Sequence, residues 1–171
     1  TTEIYTLSLH DALPISLVKL LEAYQVSATR LVFEVTESSL IEDQEESIKT
    51  VKALCDLGAK IAIDDFGTGY SSFEYVYMLP VQYLKIDRSF LKEDIGASKS
   101  QAIINAIIQL AEALDIKSIA EGVETQEQLD WLTGHRCDYV QGFLLSRPLP
   151  NDRIGLWMDA NHITSLPKYP Q

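Results

Sequence analysis

From Arg30 onward, short β-branched or aliphatic runs alternate with longer stretches of helical period, and this alternation confines the chain to βα units around a parallel sheet. The strand candidates are residues 31–35, 60–63, 83–86, 118–120 and 139–144. Between them, residues 44–57 place Ile48, Val51, Leu54 and Cys55 on one face, and residues 101–114 do the same with Ile104, Ile107, Ile108 and Ala111. Both stretches read as amphipathic crossover helices. Gly58 is placed to stop the first, and Thr125 with Gln128 three positions later forms a capping-box pattern. No low-complexity linker or internal repeat breaks the rhythm, so the chain reads as one domain or part of one. Its 171 residues suffice for one good core but fall short of a complete α/β barrel, which needs about 250.

A formal charge of −11 argues against duplex nucleic acid as a partner, because binding a phosphate backbone needs clustered Lys and Arg. An anionic ligand would need divalent cations held by some of the carboxylates. No apolar run reaches the roughly eighteen residues of a membrane span, and no basic flank precedes an apolar stretch at the start, so a cytoplasmic location is expected. Cys55 and Cys137 show no metal-ligand spacing and are expected as two thiols rather than a disulfide. His10, His135 and His162 lie away from the strand ends and are read as surface or loop residues.

The informative polar residues fall where the strands end: Glu34 and Glu37, Asp64 and Asp65, Lys85 and Asp87, Glu121 and Glu124, and Gln141. Ligand sites of parallel α/β folds lie at the carboxyl ends of the strands, so these side chains should meet on one rim. Glu37 could equally serve the N-terminus of the helix that follows it. The adjacent Asp64 and Asp65 repel one another unless a cation or a shared proton relieves them. Lys85, between Leu84 and Ile86, needs an anionic partner or water. Gly67 and Gly69 follow the aspartate pair and permit tight turns or close approach to a ligand. No Ser-His-Asp arrangement or nucleotide-binding glycine turn occurs.

Five segments carry a resemblance: EVTES at 34–38, AIDDFGTGYSS at 62–72, LPVQYLKIDRSF at 79–90, AEGVET at 120–125 and DYVQGFLLSRPLP at 138–150. In this order and spacing they closely resemble the EAL domain family, over about residues 17–159. The resemblance implies a (β/α)8 TIM-like barrel, of which about five of the eight βα units are expected here, and a metal-dependent phosphodiesterase that hydrolyses cyclic-di-GMP to linear pGpG. It implies two cations, Mg²⁺ or Mn²⁺, in the complete domain. Glu34 matches a metal-ligating glutamate, Asp64 an aspartate bridging the two cations, and Asp65 a ligand of the second. Lys85 matches the lysine that contacts the nucleophilic water or the phosphate. Glu121 matches the general base or a second-cation ligand, and Gln141 a polar residue of the site. Glu37 resembles the glutamate that holds the glycine-rich loop, and Glu124 and Asp87 are expected to support the site or the substrate. A homodimer and upstream sensory or cyclase domains are the partners that the resemblance suggests.

Two expected motifs are not found upstream of Glu34: the Glu-Ala-Leu signature and the Asn-x-Ser strand, each supplying a metal ligand. Residues 2–15 read TEIYTLSLHDALPI, which resembles a translated sequencing-adapter peptide rather than this family. The expected division is therefore a non-native segment 1–16, the C-terminal portion of an EAL domain at 17–160, and a tail at 161–171. A barrel lacking roughly three of its strands would not close, and its open edges would need cover. A parent protein anchored to a membrane through the missing upstream segments fits this division. The fragment itself is expected to be weak or inactive, with a non-catalytic cyclic-di-GMP sensor and a protein-interaction domain as the alternatives.

Overall fold

The structure, a computed structural model, describes residues 4–6, 13–42, 44–68, 73–91 and 98–161. Its elements run β1 (Ile4–Thr6), α1 (Leu13–Tyr24), β2 (Val32–Thr36), α2 (Glu37–Glu42), α3 (Gln44–Asp56), β3 (Lys60–Phe66), α4 (Phe73–Met78), β4 (Tyr83–Ile86), α5 (Ser98–Ala113), β5 (Lys117–Glu121), α6 (Gln126–Gly134), β6 (Tyr139–Gln141) and α7 (Asn151–Ala160). Short 3-10 turns at Ala28–Arg30 and Arg88–Leu91 complete them. The strands form one six-stranded sheet in the order β1-β2-β3-β4-β5-β6, with every neighbouring pair parallel. Sequential order with helical crossovers is the arc of a βα barrel.

Because side chains alternate across a strand, the two faces of this sheet separate cleanly. Phe33, Val35, Ile61, Ile63, Leu84, Ile86, Ser118 and Ala120 lie on one face and are all buried. All but Ser118 share a core with Val51 and Leu54 of α3 and with Ile104, Ile107, Ile108 and Ala111 of α5. The helical stripes expected from the sequence are therefore the ones that pack, with Ile48 and Cys55 half-buried at the margin. The opposite face carries Glu34, Asp64, Lys85 and Glu121, and it is here that the polar residues gather.

Caps match the local chemistry. Gly58 adopts φ +94° after α3, and Ala59 N–H returns to Leu54 O, so the helix stops where the sequence placed a glycine. Thr125 and Gln128 form the reciprocal capping box at the start of α6. β2 and β5 differ from the sequence reading by one residue at each end, and three further differences have a physical reason. β1 adds a sixth strand at Ile4–Thr6, inside the segment read as foreign; its β-branched and aromatic residues suit a strand, and it pairs with β2 from Ile4 opposite Val32. β3 runs on to Phe66 because a register shift against β4 carries pairing past the two aspartates. β6 ends at Gln141 rather than at residue 144, since Gly142 lies against the Val123 backbone where a Cβ would collide, and the chain turns there.

Cys55 and Cys137 are both free thiols. His135 is exposed beyond the end of α6 and stacks on Trp131 at 3.8 Å; His10 and His162 lie outside the described residues. No helix among the described residues is long and apolar enough to cross a membrane.

Candidate active site

Three strands deliver carboxylates to one ammonium. Lys85 Nζ lies 2.7 Å from Glu34 Oε1 on β2, 2.9 Å from Asp64 Oδ1 on β3 and 2.6 Å from Glu121 Oε1 on β5. The lysine is 4% exposed, so its charge is held almost entirely by these partners. Burial pulls its pKa down, but hydrogen bonds to Glu121, Glu34 and Asp64 outweigh that pull and keep it well above the ordinary lysine value. Lys85 is thus a fixed cation at neutral pH.

The register shift explains how two adjacent aspartates reach the same rim. Ile63 pairs with Leu84 and Phe66 with Ile86, so Asp64 and Asp65 together stand opposite Lys85 alone. That extra residue is a bulge, a device that re-aims side chains beside functional sites. Asp65 carries it in the left-handed region at φ +53°, which aspartate tolerates better than most residues, and its N–H donates to Asp64 Oδ1 at 3.0 Å. Burial, and then the charges of Asp64, Asp87 and Glu121, push the Asp65 carboxyl above its usual range, against an opposing pull from Lys85. Negative charge at Asp65 is therefore incompletely balanced.

Glu37 sits in the first turn of α2, is buried, and accepts from the Gly67 N–H through Oε2 at 3.4 Å. Its Oε1 is buried with no hydrogen-bond partner among the described residues. Gly67 takes φ +91°, so the turn after the aspartates needs glycine. The rest of the glycine-rich loop, residues 69–72, lies outside the described residues. Asp87 does not join the carboxylate cluster directly: its Oδ1 accepts from Ser89 N–H at 3.0 Å and so caps the Arg88–Leu91 turn. Burial raises the Asp87 pKa, but the bonds from Ser89 and the charge of Arg88 bring it below the usual range. Glu124 and Gln141 are exposed, Gln141 beside Glu121 in the β5–β6 register.

Among the described residues no three carboxylate, imidazole or thiol groups stand in metal-ligating geometry; the Lys85 ammonium occupies the point where the carboxylates converge. The donor chemistry nevertheless fits a hard divalent cation. Glu34, Asp64, Asp65 and Glu121 offer only carboxylate oxygens, the ligands that Mg²⁺ and Mn²⁺ prefer, and the unbalanced charge at Asp65 is what a cation would relieve.

Residues 4–148 match the family described as EAL domain. The chain belongs to the EAL domain family. The match opens at residue 4, upstream of the start near residue 17 expected from the sequence, and takes in β1. This EAL chain is 42% identical over 145 residues to the bifunctional diguanylate cyclase/cyclic di-GMP phosphodiesterase MucR of Pseudomonas aeruginosa, covering 85% of itself and 21% of MucR. It is 45% identical over 147 residues to the cyclic di-GMP phosphodiesterase NbdA of the same organism, covering 86% of itself and 19% of NbdA. The chain thus spans about a fifth of these relatives' length. Among solved structures, the PaMucR phosphodiesterase in complex with c-di-GMP superposes with TM-score 0.84 at 41% identity, over 88% of this chain and 63% of that one. Klebsiella pneumoniae BlrP1 in complex with manganese and cyclic-di-GMP gives TM-score 0.78 at 33% identity, over 85% and 38%.

One contact between the loops after β4 and β5 escaped the sequence reading. Gln128 is legible as a capping-box residue, but its side-chain amide also donates to Leu91 O at 2.8 Å, across two loops. Nothing in the local pattern announces that partner, because it lies 37 residues away.

Proposed function

We propose that this EAL chain carries the phosphodiesterase site of a protein that hydrolyses cyclic-di-GMP to linear pGpG. The observation that carries the reading is the convergence of Glu34, Asp64 and Glu121 on Lys85, with Asp65 beside them. The relatives named as cyclic-di-GMP phosphodiesterases, and the solved relatives bound to the dinucleotide, support it. Glu34, Asp64 and Asp65 would hold Mg²⁺ or Mn²⁺, which would supply Lewis acidity at the phosphorus oxygens and make a water more acidic.

The protein's own groups do the rest. Lys85, permanently charged, offers N–H donors to a phosphate oxygen or to the attacking water. Glu121 has the most exposed side chain of the three carboxylates on Lys85, at 20%, and this supports its role as acceptor of the water's proton. Glu37 fixes the turn at Gly67, and Gln141 presents an amide from the next strand. A homodimer, upstream sensory or cyclase domains and a cytoplasmic site of action belong to the same reading.

A second reading, a cyclic-di-GMP sensor without turnover, is favoured by one observation: Lys85 already engages all three carboxylates. The experiment that separates the two follows cyclic-di-GMP with Mn²⁺ present, on the chain extended upstream by the family's Glu-Ala-Leu and Asn-x-Ser segments, by chromatography for pGpG and by calorimetry for binding. Turnover supports the phosphodiesterase; tight binding without pGpG promotes the sensor.

A further inference from the structure

Resting on the phosphodiesterase reading, we propose that Gln128 is a positioning residue that fixes Glu121 against Lys85, through a clamp between the loops after β4 and β5. The clamp is built from one side-chain amide. Its Oε1 accepts from the N–H groups of Glu124 at 2.7 Å and Thr125 at 3.0 Å, and its Nε2 donates to Leu91 O at 2.8 Å. The first pair grips the loop that follows Glu121, and the last grips the end of the turn that follows Lys85.

The turn so gripped, Arg88–Leu91, is a wedge between two glycines. A Cβ on Gly122, the residue after Glu121, would meet Arg88 Cβ at 2.5 Å. A Cβ on Gly67, just beyond the aspartate pair, would lie 3.4 Å from the Phe90 ring. Bare backbone on both sides lets the wedge seat between the loop after β3 and the loop after β5. Asp87 orders its start through Ser89, and Gln128 anchors its end. Glu121 reaches Lys85 at 2.6 Å from the last residue of β5, which pairs with Gln141 of β6 but lies past the last β4–β5 pair, so on the Lys85 side its place depends on the loop beyond it. Catalytic groups displaced by about 1 Å can lose as much as 10²-fold in rate, so a hydrogen bond that sets their spacing matters beyond its contribution to stability.

Two substitutions separate positioning from capping. Gln128→Glu keeps two acceptor oxygens for Glu124 and Thr125 but removes the donor to Leu91 O. Thr125→Ala removes the N-cap oxygen that accepts from Gln128 N–H at 3.2 Å and leaves the clamp in place. In the chain extended upstream by the family's Glu-Ala-Leu and Asn-x-Ser segments, with Mn²⁺ and cyclic-di-GMP, Gln128→Glu is expected to lower kcat about tenfold with KM within about twofold, and Thr125→Ala to lower thermal stability with kcat unchanged. Amide hydrogen exchange gives a readout that needs no turnover. Gln128→Glu should speed exchange about tenfold over residues 88–91 and 121–125 and leave residues 104–111 of α5 unchanged. Wild-type exchange rates in Gln128→Glu would overturn the clamp; faster exchange with unchanged kcat would overturn the positioning role. No pGpG from the chain extended upstream by the family's Glu-Ala-Leu and Asn-x-Ser segments would count against the phosphodiesterase reading alone, and the exchange rates would then decide for or against the clamp.

Discussion

Lys85 Nζ stands 2.6 Å from Glu121 Oε1, although Glu121 lies one residue past the last β4–β5 pair, Ile86 with Ala120. Carboxylates from β2, β3 and β5 close on the lysine. A single buried cation thus binds together three strands that would otherwise repel one another at their tips.

Removing that cation should be costly. Lys85→Met leaves Glu34, Asp64 and Glu121 facing one another without counter-charge, and breaking a buried ion pair in this way costs roughly 3–5 kcal/mol. Urea unfolding should show a loss of this order, and saturating Mn²⁺ should recover part of it by taking over the carboxylates. A loss below about 1 kcal/mol, or no response to Mn²⁺, would speak against a charge-balanced cluster.

The wedge predicts an asymmetry between two glycines. Gly122→Ala forces a Cβ against Arg88 at 2.5 Å from a backbone at φ +72°, and should cost roughly 1–3 kcal/mol. Gly134→Ala, with nothing within 4 Å of the new carbon, should be neutral or mildly stabilising. Urea midpoints at constant slope report both values. Equal shifts would show that the loop after β5 is not packed as described.

Acid sensitivity should come in part from the opposite end of the sheet. Asp138 accepts from Lys117 Nζ at 2.7 Å and from the Ser118 N–H at 3.0 Å, tying the starts of β5 and β6 together. Burial raises its pKa, but the bonds from Lys117 and Ser118 outweigh this and hold it below the usual carboxylate range. A folded-state value below that of the unfolded chain gives stability that is present above the unfolded value and lost as pH falls through the folded one. Asp138→Asn should therefore lower the urea midpoint at pH 7, with the gap to wild type closing below about pH 4. A gap that persists in acid would assign the loss to packing instead.

The sheet was largely legible because its strands are short apolar runs with polar tips. Lys85 betrayed itself as a charge within Tyr83–Ile86, a strand buried at every position. The acidic tips were legible for the same reason, and Glu34, Asp64 and Glu121 do meet Lys85. What local pattern could not convey was geometry across the strands. The two aspartates looked like the end of β3, whereas the bulge they form extends pairing to Phe66. Gly142 looked like strand interior, but its contact with Val123 is long-range. β1, three residues long, has too few positions for periodicity to register. The reach of Gln128 to Leu91 was hidden for the same reason: its sequence neighbours explain only the cap.

The most direct test of the carboxylate cluster as a phosphodiesterase site is the yield of pGpG from cyclic-di-GMP with Mn²⁺, compared between wild type and Asp64→Asn. It is run on the chain alone and on the chain extended upstream by the family's Glu-Ala-Leu and Asn-x-Ser segments. The prediction is cation-dependent pGpG from the extended wild type, weaker or absent in the chain alone, and a fall of about 10²-fold or more in Asp64→Asn. No pGpG from the extended wild type, or Asp64→Asn activity within a few-fold of it, would contradict the assignment.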